Sequence, residues 1–172
     1  MNESDELINK KLDLILQKVI NIEEKQSLRI NDTKKQQCEL IKEKLEENSV
    51  ISSNGISDLF NFTYAEYTYR LIKTFSKLYP KICKLINGKK GKNPNIILNK
   101  KSNIYLALNY LYSNCPKIND YFSLKTIEMQ FNFKSNDLTV FKEILFHYLI
   151  DEWKCGEDNH IIVRKKIISE VF

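Results

Sequence analysis

Between Tyr67 and Asn119 the chain runs for 53 residues without a single Asp or Glu. Any fold it adopts must present a surface of one sign there. Eleven cations fall in that stretch: Arg70, Lys73, Lys77, Lys81, Lys84, Lys89, Lys90, Lys92, Lys100, Lys101 and Lys117. The rest of the chain holds 16 basic and 22 acidic residues, so a net of −6 stands against +11 here. The same stretch is rich in Leu, Ile, Tyr and Phe, unlike a disordered basic tail, which lacks the apolar surface to fold. It reads as folded basic surface. Such a surface focuses a positive potential, and the commonest partner for one is a polyanion such as double-stranded DNA.

A chain of 172 residues with 42% hydrophobic content suits one globular domain plus an appendage. No run of about 18 apolar residues occurs, so no membrane span is expected. The acidic start MNESDELINKK does not read as a secretory signal. Cys38, Cys83, Cys115 and Cys155 are scattered and read as reduced thiols, which fits the cytoplasm or nucleus of a host cell. Lys outnumbers Arg 24 to 3, and Ile and Asn are abundant. That bias points to an AT-rich genome, such as that of a virus or plasmid.

Near the N-terminus, Ile8, Leu12, Ile15, Val19 and Ile22 recur at spacings of four and three. That is a coiled-coil seam over about two heptads. Polar Gln26, Arg29, Thr33 and Gln36 interrupt it before Cys38, Ile41 and Leu45 resume the pattern. Residues 1–48 are accordingly expected as an oligomerisation helix that makes the protein a homodimer, with folding back onto its own chain as the alternative. The Asn-, Ser- and Gly-punctuated residues 49–61 are expected as a linker, and 62–172 as a basic helical domain.

Within that domain, Leu71, Ile72, Phe75, Leu78 and Tyr79 trace one apolar helix face. Arg70, Lys73, Lys77, Lys81 and Lys84 recur along one edge of it. Pro80 marks a kink or a new helix start. Residues 87–95, NGKKGKNPN, read as a loop carrying Lys89, Lys90 and Lys92. The loop lacks the G-x-x-x-x-G-K-[ST] pattern that cradles nucleotide phosphates. Tyr67, Tyr69, Tyr105, Tyr110 and Tyr112 lie among the cations, where tyrosines can stack on bases or simply pack. A lysine stripe by itself is an ordinary solvated face; the missing acids and the adjacent lysine loop are what point to nucleic acid.

From Ser102 onward come three short helical patterns, the second and third started by Ser123 and Ser135. A hairpin follows, Trp153–Cys155 and His160–Arg164 around a Gly156–Asn159 turn. The run SLKTIEMQFNFKSNDLTVFKEILFHYLIDEWKCGEDNHIIVRKK resembles, in element order, the helix-turn-helix and wing of winged-helix DNA-binding domains. The resemblance covers about residues 99–172. It implies that the helix from Ser135 enters the major groove through Asn136, Thr139 and Lys142. Against it, the hairpin region is acidic and the helix exposes Asp137 and Glu143. A DNA-binding winged helix, a protein-binding one and another helical fold all stay open.

His147, Cys155 and His160 lack metal-ligand spacing and read as a packing Cys and surface His residues. No nucleophile elbow or dinucleotide fingerprint occurs. The expectation is therefore non-enzymatic, with no cofactor and no metal. The fold expected is mainly α: a long N-terminal amphipathic or coiled-coil helix, then a small helical domain ending in a winged-helix-like β-hairpin. The function expected is nucleic-acid binding as a DNA-binding regulator or replication accessory factor. A structural or adaptor protein that binds other proteins is the alternative.

Overall fold

The computed structural model describes residues 8–19, 32–89 and 94–167. The chain divides into two compact units, 1–39 and 40–172. In the first, residues 8–19 form helix α1. The second begins within helix α2 (Asp32–Asn48) and continues through the elements of the main body.

That body is one structural unit used twice. Helix α2 leads into strand β1 (Val50–Ser52), helices α3 (Ser53–Leu59) and α4 (Ala65–Leu78), and strands β2 (Cys83–Ile86) and β3 (Ile96–Asn99). Helix α5 (Asn103–Asn114) then leads into β4 (Tyr121–Ser123), α6 (Leu124–Gln130), α7 (Asp137–Glu143) with a π-helical turn (Ile144–Tyr148), β5 (Trp153–Cys155) and β6 (Ile161–Arg164). Each half is helix, strand, helix, helix, strand, strand. Each sheet is antiparallel, with the last strand in the centre: β1-β3-β2 and β4-β6-β5.

The match extends to individual hydrogen bonds. Ser52 Oγ accepts the Gly55 N–H (3.1 Å) to cap α3, and Ser123 Oγ accepts the Thr126 N–H (3.5 Å) to cap α6. Both helices are followed directly by the sequence Phe-Asn-Phe, Phe60–Phe62 and Phe131–Phe133. The two asparagines take positive φ, 52° at Asn61 and 49° at Asn132, a region that Asn tolerates better than most residues. After the third helix, the Lys100 N–H donates to the Ile82 carbonyl (2.8 Å), and the Lys165 N–H donates likewise to Glu152 (2.7 Å). The Lys100 ammonium reaches the Pro80 carbonyl (2.8 Å), and Lys165 the Ile150 carbonyl (3.0 Å). This equivalence identifies Lys81 with Asp151, Lys84 with Lys154, and Asn99 with Arg164.

Strand β3 joins the two repeats. Its four residues are all buried, and the first three, Ile96, Ile97 and Leu98, form a continuous apolar run rather than an alternating one. Ile96 and Leu98 pack, with Ile86, into a cluster that includes Ile104, Leu108, Leu111, Ile127, Phe141 and Trp153 of the second repeat. The repeats therefore share one core.

Several expectations are corrected. The fold is not a long coiled-coil helix followed by a helical domain with one hairpin. Among the described residues helix α1 accounts for 12, and two three-stranded sheets are present. The seam supports only about two heptads, too short a helix to be stable alone in water. Of its positions, Ile8, Leu12, Ile15 and Val19 are exposed, and Ile22 lies outside the described residues. Residues 49–61 are built into the first repeat as β1 and α3 rather than serving as a linker. The Ser49 carbonyl accepts from Asn99 (2.8 Å), and Ile56 is fully buried. Helix α4 stops at Leu78, so Lys81 lies in a turn and Lys84 on β2. Pro80 brings no N–H to continue the ladder. Helix α7 starts at Asp137 rather than from a Ser135 cap.

Candidate nucleic-acid interface

Helix α4 buries Thr68, Leu71, Ile72 and Phe75. Positions three and four apart share a helix face, so Arg70, Lys73 and Lys77 line up on the side opposite this buried stripe. All three are exposed, and they span about 10 Å at 1.5 Å per residue. Arg70 is paired with Glu66 one turn earlier; that acid stands just before the acid-free stretch. An exposed pair of this kind contributes little stability, so Arg70 can exchange it for a phosphate. Lys77 sits in the last turn, where the helix dipole favours a cation. Tyr64, Tyr67 and Tyr69 are exposed beside the ridge, with Lys73 Nζ 6.0 Å from the Tyr69 ring. Exposed Lys81 follows in the turn after the helix.

The other candidates are dispersed. Lys84 is half-buried on β2, and exposed Lys89 is paired with Asp151 of the second repeat (3.2 Å). Lys90 and Lys92 lie outside the described residues. Lys100 is committed to the Pro80 carbonyl. Lys101 lines a polar hollow with Glu46, Glu47 and Asp137, so acids temper its charge. Asn136 is exposed at the N-cap of α7 and Thr139 is exposed on the helix, while Lys142 is half-buried. The exposed positions along the rest of α7 and its following turn are Glu143, His147, Ile150 and Asp151. Where the first repeat presents Arg70, Lys73, Lys77 and Lys81, the second thus presents an acidic and neutral face. Of the five tyrosines singled out for stacking, Tyr67 and Tyr69 are exposed. Tyr105, Tyr110 and Tyr112 are half-buried, with Tyr110 edge-on to Phe122 and Phe131.

Sequence reasoning missed one buried polar cluster. Arg164 is 4% exposed and sits between the Tyr112 and Trp153 rings, 4.5 Å from each. Its Nη2 pairs with Glu152 (3.2 Å), which also accepts from the Tyr112 hydroxyl (2.9 Å). Burial, above all, pushes the Tyr112 pKa well up, so the hydroxyl remains a donor at neutral pH. The signal available was the lone Arg in an otherwise apolar strand, IIVR. No group of His, Cys, Asp and Glu among the described residues could hold a metal ion. No helix among them is long and apolar enough to cross a membrane. In comparisons with known proteins the chain matches no family model, no curated protein and no solved structure.

Proposed function

We propose that this protein binds double-stranded nucleic acid through the exposed face of α4. The observation that carries the reading is the alignment of Arg70, Lys73 and Lys77 opposite the buried stripe of the helix, in the stretch of sequence after Glu66 that contains no acid up to Asn119. The third helix of a compact unit, braced by a sheet behind it, is a rigid platform for phosphate contacts, and tyrosines at its edge add stacking surface. The resemblance to winged-helix DNA-binding domains covers residues 99–172 and implies contact through α7. Helix α4 holds the equivalent third-helix position in the first repeat and, of the two helices, is the one that carries the cationic ridge. Fluorescence anisotropy with a short DNA duplex, comparing the wild type with an Arg70→Glu/Lys73→Glu/Lys77→Glu variant, tests the assignment.

Self-association through α1 is a second part of the proposal. Ile8, Leu12, Ile15 and Val19 are exposed at 46–57%, and Leu14 and Leu16 widen the apolar surface on the 12 described residues of the helix. A helix with its apolar stripe in water gains little from tertiary packing, and the matching stripe of a second copy would cover it. Joining two basic faces also raises affinity without any new contact. Light scattering is expected to give a dimer for the wild type and a monomer for Leu12→Asp/Ile15→Asp. Equal masses for the two proteins would remove α1 from the account.

A further inference from the structure

The second repeat carries a groove of about 630 Å³ between its third helix and β5. Lys142 and Lys154 line it over apolar surface from Phe146 and Ile150; Lys165 also lines it with its ammonium held on the Ile150 carbonyl, and the fully buried Trp153 lies beneath. None of the described residues lining it is acidic. This contrasts with the adjacent acidic ridge of Glu143 and Asp151. Phe146 is supplied by the π-helical turn Ile144–Tyr148. π-Turns inside α-helices are costly and concentrate at functional sites, and here the turn sets an aromatic side chain at the groove. The first repeat has a lysine at the positions of Lys154 and Lys165 but Pro80 in place of Ile150. Its third helix runs to Leu78 as a regular α-helix. The apolar floor therefore belongs to the second repeat alone.

We propose that this groove is a docking site for an acidic peptide segment of a partner protein, anchored by an aromatic or aliphatic side chain. A cationic rim selects Asp and Glu by complementarity, and the apolar floor offers the central anchor pocket that most binding energy requires. A nucleic-acid backbone would satisfy the lysines but gain nothing from Phe146 and Ile150, so the peptide is the better fit. The inference stands apart from the α4 reading. Together the two describe a protein that connects nucleic acid, on the first repeat, to an acidic partner on the second.

Selection from a display library of short random peptides on the immobilised full-length protein tests this. The expected result is enrichment of sequences combining Asp or Glu with Phe, Trp, Leu or Ile. The selected peptides should bind at least about tenfold more weakly to Lys142→Glu/Lys154→Glu and with unchanged affinity to the α4 triple variant. Cys155 lines the groove and is half-buried, whereas Cys38, Cys83 and Cys115 are buried. A bound peptide should therefore slow alkylation of Cys155. Failure to enrich such peptides, enrichment of basic ones, or binding lost in the α4 variant instead would overturn the proposal. So would loss of duplex binding in the groove variant without any peptide selected, which would give the groove to nucleic acid.

Discussion

Reversing three charges on α4 is expected to abolish duplex binding by a protein that remains folded. Arg70, Lys73 and Lys77 are exposed on the side of α4 opposite its buried residues, so Arg70→Glu/Lys73→Glu/Lys77→Glu should leave thermal stability within about 1 kcal/mol of wild type. Each phosphate contact releases condensed counterion and contributes about 0.9 to the salt slope. Three contacts correspond to a roughly 40-fold fall in affinity between about 50 and 200 mM salt. The variant replaces three attractions by three repulsions and should lose binding even at low salt. Arg70 is the one side chain of the ridge able to make a bidentate contact to a base or phosphate. The lysines act as point charges and supply affinity for any sequence.

The largest expected effect on stability comes from Glu152→Ala. It leaves the Arg164 guanidinium, 4% exposed between two aromatic rings, without its only carboxylate partner among the described residues. Breaking a buried pair from one side costs about 3–5 kcal/mol, because the remaining charge stays desolvated. Urea unfolding should show this as a lower midpoint with an unchanged slope. A loss below about 1 kcal/mol would mean that Arg164 reaches water or another partner, and that the cluster does not lock the second repeat. The first repeat meets the same position differently. Asn99, the counterpart of Arg164, donates to the Leu45 carbonyl (3.3 Å) and accepts from the Lys101 N–H (2.8 Å). Two neutral hydrogen bonds there replace a buried charge.

Much of the helical framework was legible from local chemistry. Ser102 and Ser123 announce helix starts through their hydroxyls, and both cap as such residues should. The spacing of Arg70, Lys73 and Lys77 predicts a shared helix edge, which is where they lie. Strands β5 and β6 were legible as the expected hairpin, but β1 to β4 were not, because each spans only three or four residues, too few to show alternation. β3, buried on both faces, shows none. Lys81 and Lys84 continue the helical spacing past a point where the backbone has already turned, so periodicity alone placed them on the wrong element. The clearest missed signal was a repeat. Ser52, Ile56 and Phe60-Asn61-Phe62 recur as Ser123, Ile127 and Phe131-Asn132-Phe133. A search for internal similarity would have revealed the second use of the unit. It would also have shown that the sheet expected only near the C-terminus has a counterpart around the basic stretch, and that α4, not only α7, occupies the third-helix position.

The most direct test of the central claim is the salt dependence of duplex binding, measured side by side for the wild type and the α4 triple variant. A logarithmic slope of about −2.7 or steeper for the wild type, with no measurable binding by the variant, is the result expected here. A wild type that does not bind a duplex at low salt, or a variant that keeps the wild-type slope, would contradict it.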